Sequence, residues 1–170
     1  RSAFLTGVQT CALPISPSNR FATVVAADST GHDFIAAPTP MGVWRNAKFT
    51  AGELADPGIS GDAADPDGDG IQNRIEYALH SEPKAASLTG LPMVSTDDGH
   101  LTITFTRVKS ATDISYVVQV TGELGTWYSG PLFTEQVGVV DNGDTETVTV
   151  RDLTPMSAAQ ARFIRLLISR

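Results

Sequence analysis

The chain lacks three features that would each point to a class of protein: paired cysteines, clustered cations and a long apolar run. It has one cysteine in 170 residues, so disulfide pairing gives no clue to its compartment. Its 12 Lys and Arg residues are outnumbered by 19 Asp and Glu residues, and nucleic-acid-binding surfaces need clustered cations. No apolar run approaches the roughly 20 residues of a membrane-spanning helix. We therefore expect no nucleic-acid partner and no membrane span.

The sequence also lacks the short motifs of common catalytic sites. It has no GxSxG elbow, no P-loop, no HExxH and no GxGxxG after a predicted strand. The histidines His32, His80 and His100 lie far apart, with no cysteine or second histidine near any of them, so no zinc or iron site is predicted. We expect a protein that is not an enzyme.

The first 16 residues are predicted not to belong to the protein. Residues 6–15, TGVQTCALPI, match the translation of a DNA string that resembles a common short-read sequencing adapter, and Ser16 is consistent with its last base. The alternative is a short apolar leader, but Gln9 and Thr10 interrupt its apolar stretch. Without this segment, which contains Cys11, the chain has no cysteine.

The remaining chain divides by composition into three segments. Residues 17–40 end in Pro-Thr-Pro and are predicted to be the end of an upstream region followed by a linker. Residues 41–84 carry short helical patterns on either side of an acidic loop, and residues 85–170 alternate with the period of β-strands. We expect a mainly β fold, in which a short helical calcium-loop segment precedes a small antiparallel β-sandwich.

Two helices are predicted around the acidic loop. The first covers residues 41–49 and is followed by a capping box formed by Thr50 and Glu53. Pro57 and Gly58 then end any helix before the loop. A second helix over residues 71–80 has an apolar face that we expect to pack on the first helical segment. That face consists of Ile71, Ile75 and Leu79, and the expected partners are Trp44, Phe49 and Leu54.

The acidic stretch DPDGDGIQNRIE fits each position of a twelve-residue calcium loop. Alternate aspartates on a tightly curved backbone direct carboxylates to one point, Gly70 at position 6 allows the sharp turn, and a glutamate at position 12 can bind through both oxygens. The predicted ligands are Asp65, Asp67, Asp69, the backbone carbonyl of Ile71, Asn73 and Glu76. Magnesium fits this set less well because it prefers an octahedral shell with several waters. The alternative is a solvated acidic turn, and a contribution from Asp56 or Asp62 stays open.

The loop resembles those of thrombospondin type 3 repeats and, more loosely, of dockerins. Ile71 at position 7 matches the former, whereas dockerins usually have the apolar residue at position 8. The loop differs from both families in being single. From about Trp44 to Arg170 the chain is similar to the C-terminal region of large secreted or surface-associated bacterial proteins. This resemblance implies calcium use and an extracellular location, and it implies no activity.

The strands of the C-terminal segment follow from alternating apolar residues. HLTITFTRV and ISYVVQV each place β-branched or aromatic residues on one face, and Asn142-Gly143 predicts a hairpin before TVTVRDL. The last strand, RFIRLLIS, is predicted to direct Phe163 and Leu167 inward.

A second possible binding feature is the aromatic pair Trp127 and Tyr128. An exposed pair of this kind could stack on a sugar ring, and the alternative is that Trp127 is a core residue or covers an edge of the sandwich. The sequence as a whole predicts a non-catalytic, calcium-stabilised module of an exported bacterial protein. The competing hypothesis is a carbohydrate-binding or adhesive β-sandwich that serves as an accessory domain of a secreted hydrolase, with a polysaccharide or cell-surface partner.

Overall fold

The structure, a computed structural model, describes residues 37–170. The adapter-like segment, most of the predicted linker and His32 lie outside these residues. The helices are α1 (Pro40–Lys48), α2 (Ala51–Leu54), α3 (Pro57–Ser60) and α4 (Asn73–Leu79). The strands are β1 (Met93–Asp97), β2 (His100–Val108), β3 (Ser115–Thr121), β4 (Thr134–Asp141), β5 (Thr145–Asp152) and β6 (Phe163–Ser169), with a 3₁₀ turn at Met156–Ala158 before β6.

The six strands form two antiparallel sheets, which confirms the mainly β prediction. One sheet has the order β1-β2-β5-β4, and the other pairs β3 with β6. The facing sides of the sheets share one buried hydrophobic cluster. Its strand residues are Ile103, Phe105, Val118, Val148, Val150 and Ile168. Burial of alternate residues from both sheets is the packing of a small β-sandwich.

The first three helices begin where the sequence supplies caps. The Thr39 side chain accepts a hydrogen bond from the Gly42 amide at the start of α1. The predicted capping box is confirmed: the Glu53 amide donates to Thr50 Oγ1, and the Thr50 amide donates to Glu53 Oε2. The prediction that Pro57 and Gly58 end any helix is wrong, because the Asp56 carboxylate caps a further short helix, α3, which begins at Pro57. These short helices lead the chain to the acidic loop in a series of turns.

Helix α4 packs differently from the sequence prediction. It begins at Asn73, so Ile71 belongs to the loop. Ile75 and Leu79 pack in the core of the β-sandwich together with Ala78, which is fully buried. Tyr77 contacts the first helix, with its ring centroid 5.5 Å from that of Trp44. Both clusters of buried residues include side chains from either side of the boundary expected at residues 84/85.

Two strand-level predictions have different outcomes. The β4–β5 hairpin is confirmed, and the Asn142 amide donates to the Thr145 carbonyl across a turn whose first central residue, Gly143, has a φ of 87°. This is the position that requires glycine in a type II′ turn. The predicted face of β6 is wrong, because Phe163 and Leu167 are 37% and 42% exposed. The residues of β6 that pack inward are Ile164, Leu166 and Ile168.

Candidate metal centre

The acidic loop connects α3 to α4, and two backbone hydrogen bonds close its base. The Asn73 amide donates to the Ala64 carbonyl at 2.9 Å, and the Arg74 amide donates to the Asp62 carbonyl at 3.0 Å. The first turn of α4 is thereby held against the chain that enters the loop. This brings position 12 of the loop, Glu76, back toward position 1, as a cation-binding loop requires.

Within the loop, the aspartates accept hydrogen bonds from backbone amides. Asp65 accepts from Gly68 and Gly70, each at 2.9 Å, and Gly70 has a φ of 90°, as expected for the sharp turn. Asp69 Oδ1 accepts from the Ile71 amide at 2.8 Å. One oxygen each of Asp65, Asp67 and Asp69 lies within 4.8 Å of the others. The loop has therefore gathered three of the predicted side chains around one point.

Glu76 is not one of the side chains whose oxygens lie within 4.8 Å of one another, but it is 1% exposed and its charge interacts with those of the three aspartates. Burial raises the pKa of Glu76 to about 7, with further contributions from the negative charges of Asp67, Asp69, Asp65 and Glu82. Its Oε2 atom is buried without a hydrogen-bond partner, as is Asp67 Oδ2. Buried carboxylate oxygens without donors or cations are strongly unfavourable. No ion pair recorded among residues 37–170 includes one of the four carboxylates.

Asn73 and Ile71 complete the predicted set. Asn73 is fully buried, and its Nδ2 atom donates to the carbonyls of Ile59 and Gly61, each at 2.8 Å. Its Oδ1 atom is another buried oxygen without a partner. Ile71 lies in the loop just before α4, at the position expected to offer its backbone carbonyl. The amide contacts of Asn73 tie α3 to α4 beneath the loop, a role that its loop position did not predict.

A contact from outside the loop was also not predicted. Asp69 Oδ2 accepts a hydrogen bond from the Ser87 amide at 2.9 Å. Ser87 belongs to the connection between α4 and β1, 18 positions along the chain from Asp69. No motif links these two positions, so only the fold could reveal the contact. The acidic loop is thereby joined to the segment that leads into the four-stranded sheet.

The two aspartates left open by the sequence have other partners. Asp56 Oδ1 accepts from the Gly58 amide at 2.8 Å and caps α3. Asp62 forms ion pairs with Arg45 and with Arg170, the latter at 3.0 Å. Arg170 also lies 3.5 Å from Asp113, whose other oxygen accepts from the Tyr77 hydroxyl. Asp62 therefore links the loop entrance to the end of β6.

The aromatic pair lies on the β-sandwich, away from the core cluster. Trp127 is half-buried, and the guanidinium of Arg165 stands 3.9 Å from its ring centroid. Tyr128 is 45% exposed and stacks on Phe133 at 4.9 Å. The Tyr128 backbone exchanges two hydrogen bonds with Val120 of β3. This segment therefore covers an edge of the two-stranded sheet, one of the alternatives left open for Trp127.

The described histidines do not extend the candidate metal centre. His80 ends α4 in the left-handed conformation and is exposed. The His100 Nδ1 atom donates to the Asp152 carbonyl at 2.8 Å. Among residues 37–170, Asp65, Asp67 and Asp69 are the one group of three acidic, histidine or cysteine side chains close enough to share an ion.

Comparison of the chain with family models, curated proteins and solved structures finds no match. None of the helices between residues 37 and 170 combines the length and the apolar character needed to cross a bilayer.

Proposed function

We propose that this chain is a non-catalytic module that binds one calcium ion at the loop between α3 and α4 and is stabilised by it. The observation that carries the proposal is the buried Glu76 Oε2, which has no partner beside three convergent aspartates. An exposed acidic turn could keep its charges solvated, but a buried glutamate cannot. A hard divalent cation would satisfy the orphan oxygens and offset the repulsion among four carboxylates.

Calcium suits this donor set better than magnesium. The predicted ligands are carboxylate, amide and backbone oxygens on a glycine-containing loop, which can provide the six to eight oxygens that calcium takes at about 2.3–2.6 Å. Magnesium demands octahedral geometry at shorter distances and keeps several waters. We assign the ion a structural role, because α4 has seven residues and a helix of that length is not stable alone.

We also propose that the module belongs to an exported protein. The resemblance to the C-terminal regions of secreted or surface bacterial proteins supports an exported parent protein, where calcium is plentiful. Carbohydrate binding by Trp127 and Tyr128 has less support, because Arg165 already covers one face of the Trp127 ring. The module is thus proposed as a calcium-held domain of a larger exported chain.

Isothermal titration calorimetry tests the proposal directly. At pH 8 the chain is expected to bind one calcium ion with a Kd of about 10⁻⁵–10⁻³ M, the sensor-to-extracellular range, and to bind magnesium more weakly. Asp67→Asn removes one carboxylate from the site and should abolish the heat of binding. Asp97→Asn changes an exposed carboxylate on β1 and is the matched control, which should bind as the unmodified chain does. Equal calcium binding by both variants would refute the proposed site.

Calcium affinity should also depend on pH. With the pKa of Glu76 at about 7, a proton competes with the ion below neutral pH, and we expect roughly tenfold weaker binding at pH 6 than at pH 8. In calcium-free buffer the charged form of the Glu76 carboxylate destabilises the folded state. Its folded-state pKa lies above its unfolded value, so the free energy of unfolding should fall as pH rises from about 4.5 to about 7. Titrations at the two pH values check the first expectation, and equal affinities would contradict it.

A further inference from the structure

Three consecutive side chains of α4 lie against three different parts of the molecule. Glu76 faces the acidic loop, where its charge meets those of the aspartates. Tyr77 packs with Met41 and Trp44 beside α1, and its hydroxyl donates to Asp113 at 2.8 Å. Ala78 lies in the core of the β-sandwich. A change in the position of α4 therefore reaches the loop, the helical segment and both sheets.

The contact between α4 and the sheets is buried. Ala78 and Leu79 are 0% and 4% exposed, within the same cluster as Phe105 of β2 and Val118 of β3. The Tyr116 hydroxyl, which extends from β3, donates to the Ala78 carbonyl at 2.8 Å. Moving α4 away from the sheets would open a cavity between them and leave this hydroxyl without its acceptor.

Hydrogen bonds of Asn73 and Arg74 hold the first turn of α4, and none of them involves the Glu76 carboxylate. The N-cap residue of α4, Gln72, makes no side-chain capping hydrogen bond. Glu76 lies in that first turn, buried beside like charges. The base of the loop contributes two backbone hydrogen bonds through Asn73 and Arg74. Without a cation, the buried Glu76 carboxylate therefore destabilises α4, whose residues Ala78 and Leu79 are part of the sandwich core.

We infer that calcium at the loop controls the stability of the whole β-sandwich, because the helix that carries Glu76 also completes the sandwich core. This inference rests on the proposed calcium site and adds that its effect reaches strands that do not touch the ion. Binding and core packing are then linked, so calcium raises the stability of both regions together. The alternative is local: calcium orders the loop and α4, and the sheets unfold independently of it.

The two tryptophans report on the two regions separately. Trp44 packs against Tyr77 and Phe49 in the helical segment, whereas Trp127 lies against Arg165 of β6. Trp127→Phe leaves Trp44 as the reporter, and Trp44→Phe leaves Trp127. Thermal unfolding of each single-tryptophan chain, followed by fluorescence in 1 mM calcium chloride and in EDTA, should give coincident transitions. We expect calcium to raise both midpoints by the same number of degrees.

One result would contradict the inference alone, and another would contradict the proposed calcium site itself. A midpoint that moves for Trp44 and not for Trp127 would overturn the inference and leave the calcium site standing. If neither midpoint moves and calorimetry shows no calcium binding, the proposed function itself fails. Hydrogen exchange of the unmodified chain gives a second measurement that needs no variant. Amides of β2, β3 and β6 should exchange more slowly in calcium than in EDTA, and exchange that slows only at the loop and α4 would refute the inference.

Discussion

Replacing Glu76 by glutamine is expected to make the chain more stable than the unmodified protein without calcium and less stable than it with calcium. In EDTA at pH 8 the Glu76→Gln variant should melt at a higher temperature than the unmodified chain. The neutral amide avoids the burial and repulsion that raise the pKa of Glu76 to about 7. In calcium the unmodified chain should be the more stable, because the variant has lost the ligand at position 12 of the loop. A single substitution thus stabilises the calcium-free protein and destabilises the calcium-bound one.

The size of the effect follows from mass action. For a Kd of 10⁻⁵–10⁻³ M, 1 mM calcium stabilises the unmodified chain by about 0.4–2.7 kcal/mol, or on the order of 2–10 °C in Tm. Differential scanning calorimetry of both proteins, with and without calcium, measures it. Glu82→Gln is the matched control, because Glu82 is another acidic neighbour of Glu76 but is half exposed and pairs with Lys48. That variant should keep the full calcium shift, and a full shift in Glu76→Gln would exclude Glu76 as a ligand.

The parts of the structure that depend on nearby residues could be predicted from the sequence. The capping box at Thr50, the hairpin at Gly143 and the tight turn at Gly70 each depend on a few adjacent side chains and backbone angles. The convergence of the three aspartates is equally local, since alternate positions on a curved loop place their carboxylates together. These elements are specified before any distant contact forms.

What the sequence did not predict depends on contacts between distant segments. β6 has apolar residues at both alternating sets of positions, so its pattern indicates a strand without choosing a buried face. Its pairing with β3 makes the choice, by placing Leu166 opposite Val118 and Ile168 opposite Tyr116. The packing of α4 on the sheets, and the tie between Asp69 and Ser87, were missed for the same reason. The local sequence defines the candidate site, and tertiary packing connects that site to the β-sandwich.

A second large effect is expected at the ion pair that joins the two sheets. Asp152, the last residue of β5, is fully buried, and Arg162, just before β6, donates to both of its carboxylate oxygens at 2.7 Å. In Arg162→Met the carboxylate keeps only the hydrogen bond from the Thr154 amide. Leaving a buried charge unpaired costs about 3–5 kcal/mol. Urea unfolding in excess calcium, followed by circular dichroism, should show this loss with an unchanged dependence on urea concentration.

Two further variants show whether the loss comes from the unpaired charge. Asp152→Asn in the Arg162→Met background should recover part of the stability, because the asparagine is neutral and its side-chain oxygen can still accept from Thr154. Arg151→Met breaks a comparable arginine–carboxylate pair, but its partner Glu135 is half exposed, so it should cost less than about 1 kcal/mol. If Arg162→Met and Arg151→Met destabilise the protein equally, the buried pair has no special role in joining the sheets. A large loss confined to Arg162→Met would establish that the connection into β6 is held by charge as well as by the apolar core.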